Sequence, residues 1–144
     1  MAETLGSLCD KLTIIKLKQY HCDEVQKKYS LNKQEIMLIE EIDSYLADLT
    51  KGNIPPEKIT FDSNKIYKKT GNETREFSAE LGDIISQLAN INCELWHEQD
   101  KVYDFSNVPI DEKNIVVNNL AILNLERNKC IDEINNIIKR KFSK

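Results

Sequence analysis

The chain is 144 residues long, with 31% charged residues, a formal net charge of −4, four glycines and three prolines. That length is one domain with room for a real core, and so little glycine and proline favours helix over turn-rich β structure. The acidic balance disfavours nucleic acid as a partner, and no apolar run approaches the roughly 20 residues of a membrane span.

The first six residues have neither the basic nor the apolar stretch of a secretion signal. Cys9, Cys22, Cys93 and Cys130 are widely spaced with no C-x-x-C pair. They read as reduced thiols, mostly buried, of a cytoplasmic protein.

A first helix is expected over about 4–28, with Thr4 as N-cap. Leu5, Leu8, Leu12, Ile15, Gln19 and Cys22 recur at steps of three and four and form one buried stripe. A second, half-apolar stripe runs through Asp10, Ile14, Leu17, His21 and Glu24. A helix with two such sides touches something on each, another helix or a second subunit. A homodimer through this first helix is the partner expectation, alongside another protein as partner.

Ser30-Leu31-Asn32 reads as a short connection, and a second helix follows over about 33–50 with Ile39, Ile42, Leu46 and Leu49 as its stripe. A connection this short makes the pair an antiparallel hairpin. Gly52 supplies a C-cap, and Pro55-Pro56 forbid continuation. From about 51 to 77 the periodicity dissolves. Ile59-Thr60-Phe61 could be briefly extended, and 65–75 reads as charged and loosely ordered, with a turn at Thr70-Gly71-Asn72.

A third helix is expected from Ser78, its core stripe Leu81, Ile84, Leu88, Ile91 and Leu95 with Trp96 at the edge. Tyr103 to Ile110 is a loop. The fourth helix runs over about 111–141 on Leu120, Leu123, Arg127, Ile131, Ile134 and Ile138, and its basic end Lys139-Arg140-Lys141 complements the helix dipole.

The chain echoes itself. Leu5-Gly6 and Tyr20-His21 recur without a gap as Leu81-Gly82 and Trp96-His97, and Asn32…Ile39-Glu-Glu-Ile42 recurs as Asn124…Ile131-Asp-Glu-Ile134. The expected fold is therefore all-α: a four-helix bundle made from a duplicated helical hairpin, with hairpin 1 over about 4–50 and hairpin 2 over about 78–141.

Three segments carry a resemblance: Leu5-Gly6-Ser7-Leu8-Cys9-Asp10-Lys11-Leu12-Thr13-Ile14, Asn92 to His97, and the set Asn124, Arg127, Asn128, Ile131 and Asp132. Together they resemble an uncharacterised family of bacterial all-helical domains. Gln99 stands where that pattern has an acid, which leaves Asp100 alone, and Val102-Tyr103 occupy the place of its arginine. The resemblance implies an accessory role in surface-glycan biosynthesis, since such domains accompany glycan genes.

The candidate ligand-binding residues are His97, Asp100, Asn124, Arg127 and His21. Arg127 falls on an apolar stripe, where an unpaired guanidinium is costly. It pairs, with its repeat counterpart Glu35 the expected partner, or it holds a phosphate or carboxylate with Asn124 beside it. Cys93 and His97 stand four apart, but the further ligands a zinc site needs follow no known pattern, so no metal is assigned and the cofactor stays unknown. Nothing resembles a phosphate loop or a nucleophile motif. Two functions remain open: a helical binding or interaction protein, and a small enzyme or ligand binder for a phosphorylated or anionic metabolite such as a nucleotide or nucleotide sugar, with or without a divalent metal.

Overall fold

The computed structural model of the chain describes residues 3–61 and 74–143. Four helices make the fold: α1 (Leu5–His21), α2 (Val25–Thr50), α3 (Leu81–Tyr103) and α4 (Ile110–Phe142). They form two hairpins, α1 with α2 and α3 with α4, and α1 lies between them, packing also on α3 and α4. The all-α, duplicated-hairpin reading holds.

Thr4 caps α1 as expected, its hydroxyl accepting from the Ser7 amide at 3.2 Å. The end of α1 differs from expectation. The chain breaks at Cys22-Asp23-Glu24, where Cys22 and Glu24 are extended, and α2 starts at Val25. Ser30-Leu31-Asn32 is therefore helical, and Leu31 is buried within α2. No Gly or Pro marks the break. The physical signal is a charge reversal: Lys18 and His21 end one helix, and Asp23 and Glu24 precede the next, each sign matched to its dipole.

Helix α2 ends as its glycine requires. Gly52 takes φ +73°, its amide donates to Leu49 O at 3.1 Å, and the Asn53 amide reaches Asp48 O at 2.9 Å. That is the paired 5→2 and 6→1 closure of a Schellman motif. Ile59 is not extended. It follows a 3-10 turn (Pro56–Lys58) in a helical conformation and is buried with Leu5, Leu49 and Ile138. The expected loose segment at 65–75, with its turn at 70–72, falls mostly on residues 62–73, outside the described residues.

Helix α3 begins three residues later than expected. Ser78 lies before the helix, its hydroxyl accepting from the Glu80 amide and bonding the Asp83 carboxylate. The main core joins Ile84, Leu88 and Ile91 of α3 to Leu123, Cys130 and Ile134 of α4. Each fully buried aliphatic side chain contributes about 1.5–3 kcal/mol.

The expected stripe of α2 divides between two faces. Ile42 and Leu49 turn inward, but Ile39 and Leu46 are exposed, as are Val25, Tyr29, Ile36 and Met37. Helix α2 is apolar on a second side that no other described element covers. The second stripe of α1, by contrast, is largely used within the chain: Asp10 bonds side chains of α3 and α4, and His21 stacks on Trp96.

Candidate functional site

Arg127 does not meet Glu35. Its Nε donates to Asp10 Oδ1 at 2.8 Å and its Nη2 to Asp10 Oδ2 at 2.5 Å, a two-pronged ion pair. Asp10 is buried, and Asn92 Nδ2 adds a donor to Asp10 Oδ1 at 3.0 Å and reaches Thr13 Oγ1 at 2.7 Å. The Thr13 hydroxyl donates onward to the Asp10 carbonyl at 2.8 Å. The Asp10 carboxylate holds the guanidinium pKa above its usual value against the opposing effect of burial. Glu35 instead accepts from Gln19 at 2.6 Å and Lys16 at 2.9 Å, which together hold its carboxyl below the usual range.

The network joins Asp10 and Thr13 of α1, Asn92 of α3 and Arg127 of α4, so each of the three segments that carried the resemblance supplies at least one member. A second network ties Asn135 to the start of α1. Its Oδ1 accepts from the Gly6 amide at 2.8 Å, and its Nδ2 donates to Thr4 Oγ1 at 3.0 Å. These contacts tie α1 to α3 and α4 through side chains that are largely withdrawn from water.

The two repeat-related aromatic-histidine pairs do come together. His21 stacks on Trp96, with ring centroids 4.8 Å apart and planes 10° from parallel. His97 stands edge-on to His21 at 6.4 Å, and Tyr20 edge-on at 5.1 Å. A recess beside the stack, at the α1–α2 turn, is lined by Lys18, His21, Cys22, Lys27, Leu31 and Trp96. His21 and His97 therefore meet, while Arg127 is committed to Asp10. Asp100 and Asn124 are exposed and bond to none of these three among the described residues.

Arg75 was not singled out in the sequence, yet it makes the other strong ion pair. Its Nε and Nη2 donate to Glu126 at 2.8 and 3.1 Å, its amide donates to the same carboxylate at 3.0 Å, and Nη2 reaches Glu94 at 2.8 Å. Burial would raise the Glu126 pKa, but the Arg75 donors prevail and hold it below the usual range. A signal for Glu126 did exist: it stands between Leu123 and Cys130 at steps of three and four, on the core side of α4.

Covalent chemistry finds little support in this arrangement. All four cysteines are free thiols, and burial pushes Cys130 up to about 12, far from a reactive thiolate. Cys93 and His97 share one helix, with no third group orienting the imidazole among the hydrogen bonds of the described residues. Among the described residues no group of three or more His, Cys, Asp or Glu is arranged to hold a metal ion, and no helix is long and apolar enough to cross a membrane. No family model, no curated protein and no solved structure matches this chain.

Proposed function

We propose that this protein is a helical binding module that acts through its surface, an accessory rather than a catalyst, working in the cytoplasm and, as the resemblance implies, in surface-glycan biosynthesis. One observation carries the reading. Arg127, the cation best placed to clamp an anionic metabolite, is held at both prongs by Asp10. The Asp10 carboxylate takes two of the five guanidinium N–H donors and balances its charge, so a phosphate at Arg127 has to compete with it. What the described residues leave open is an apolar helix face on α2. Pairing of two copies was expected through the first helix. Because α1 already packs on α2, α3 and α4, pairing through this hairpin falls more naturally to α2.

A second reading has its own support. The His21–Trp96 stack with Lys18 and Lys27 at its edge offers a π surface beside positive charge, a combination suited to a nucleotide or nucleotide sugar.

A thermal-shift panel of nucleotides, nucleotide sugars, inorganic phosphate and divalent metals separates the two, because a ligand of the native state raises Tm by mass action. The binding-module reading expects no ligand-dependent rise. A rise lost in Trp96→Ala and His21→Ala establishes the small-molecule reading in its place. A rise lost in Arg127→Ala means that the anion competes with Asp10.

A further inference from the structure

We propose that the bare face of α2 is a self-pairing seam, closed by α2 of a second copy of this chain running antiparallel. The proposal rests on the binding-module reading and names its partner. Its test reads self-association rather than ligand binding, so either can fail alone.

The first observation is spacing. Val25, Tyr29, Asn32, Ile36, Ile39, Asp43 and Leu46 follow one another at steps of four and three in strict alternation, and all seven are exposed. That is an a/d heptad seam, with Tyr29, Ile36 and Asp43 at a and Val25, Asn32, Ile39 and Leu46 at d. An ordinary solvated helix face has no reason to keep aliphatic residues at such positions.

The second observation comes from the repeat. Ile39, Asp43 and Leu46 correspond to Ile131, Asn135 and Ile138 of α4. On α4 that face is covered by α1: Asn135 bonds the Gly6 amide, the Ile131 carbonyl lies against Gly6, and Ile138 clusters with Leu5. The same face of the duplicated hairpin is a helix-packing face in one half and, among the described residues, is bare in the other. A helix is what fits it.

The third observation decides which helix. A two-fold axis makes contacts reciprocal, so that residue i meets j and j meets i, and an antiparallel pair sets a positions against d positions. Centred between Met37 and Leu38, the seam matches itself. Ile36 meets Ile39 of the second copy, Tyr29 meets Leu46, and the two polar members, Asn32 and Asp43, meet each other. Asn32 already accepts from Gln19 through Oδ1 at 3.0 Å, which presents its Nδ2 donors to the Asp43 carboxylate opposite. A parallel pair in register would set Asp43 on Asp43 across the seam. At the flank, Lys33 and Glu40 both fall at e positions, which neighbour one another in an antiparallel pair, so Lys33 comes alongside Glu40 of the second copy, two positions from exact register, once at each side of the axis, with opposite charges. An unrelated helix would have to supply all of this complementarity by coincidence.

Sedimentation velocity on the full chain over a wide concentration range tests the proposal, with three exposed-site variants that leave the monomer core alone. The wild type is expected to dimerise reversibly, and Ile36→Lys to raise the dimer dissociation constant at least about tenfold. Lys33→Glu and Glu40→Lys each set like charges against one another and weaken the dimer. Mixed in equal amounts, they restore opposite charges at both flanks and recover a heterodimer. Recovery on mixing supports the antiparallel register. A chain monomeric at every concentration overturns the proposal and leaves the seam to a different partner. A dimer indifferent to Ile36→Lys, or one that mixing does not recover, overturns it as well, because pairing then lies elsewhere or in another register.

Discussion

Arg127 and Asp10 lie 117 positions apart in the chain and form one two-pronged ion pair between α4 and α1. The carboxylate is almost wholly withdrawn from water, with a side-chain exposure of 6% against 31% for the guanidinium. Asn92 completes the carboxylate's shell from α3. The contact therefore fastens the first hairpin to the second, and α1 is the element it fastens. Because α2 reaches the rest of the fold mainly through α1, the orientation of the exposed α2 face depends on this pair.

Gly6 and Gly82, equivalent in the repeat, should respond oppositely to alanine. A Cβ at Gly6 would stand 2.5 Å from the Ile131 carbonyl and 2.8 Å from Asn135 Oδ1, whereas one at Gly82 meets nothing within 4 Å. Gly6→Ala is expected to cost about 1–3 kcal/mol through overpacking and a displaced hydrogen bond. Gly82→Ala should be neutral or stabilising by up to about 1 kcal/mol, since alanine is the better helix former. Urea denaturation of the two variants checks both signs.

Stability should fall on acidification partly through Glu126. Burial acts to raise its pKa, but Arg75 holds the folded value below the unfolded one. Its contribution is thus present above the unfolded pKa and lost as pH falls through the folded pKa. Glu126→Gln should lower stability at neutral pH by about 1–3 kcal/mol and flatten the acid limb of a stability–pH profile. Asp132 has the opposite sign. Burial raises its pKa, so its contribution is fully present below the unfolded pKa and is lost as pH rises through the folded one. Asp132→Asn should raise Tm at neutral pH and lose that advantage in acid.

The four thiols should separate by access. Cys93 is exposed, while Cys130 is fully buried with its pKa pushed up to about 12. Brief iodoacetamide treatment of the folded chain at neutral pH, followed by peptide mass spectrometry, should label Cys93 first and leave Cys130 unmodified until unfolding.

Much of the fold was legible because α3 carries a single apolar stripe. Leu81, Ile84, Leu88, Ile91 and Leu95 all turn inward or lie half-buried, as their spacing requires. Helix α2 departs from the expected single stripe because it has two apolar sides. Ile39 and Leu46 belong to one, Ile42 and Leu49 to the other, and the four together imitate a single stripe. The α1–α2 break carries no Gly or Pro, and only its charge reversal marks it. The partner of Arg127 is hidden in the sequence for a different reason. A repeat suggests that equivalent positions meet, and the equivalents Lys16–Glu35 and Asn92–Arg127 do occupy matching places in the two hairpins, Lys16 bonding Glu35 directly. In the second hairpin Asn92 and Arg127 instead share the Oδ1 of Asp10. Of the candidate ligand-binding residues, His21 and His97 stand edge-on to one another, whereas Asp100 and Asn124 are not brought to them.

The measurement that bears most directly on the account is a double-mutant cycle on Asp10 and Arg127, read by urea denaturation with the ligand panel run on each variant. Arg127→Met leaves a buried carboxylate without its counter-charge and should cost about 3–5 kcal/mol. Asp10→Asn leaves a partly exposed guanidinium and should cost less, about 1–3 kcal/mol. The double variant should be more stable than the sum of the two losses allows, because each single change strands the other's partner. Additive losses, or an Arg127→Met chain of unchanged stability that has lost a ligand-dependent rise in Tm, would contradict the account and make Arg127 a ligand-binding residue.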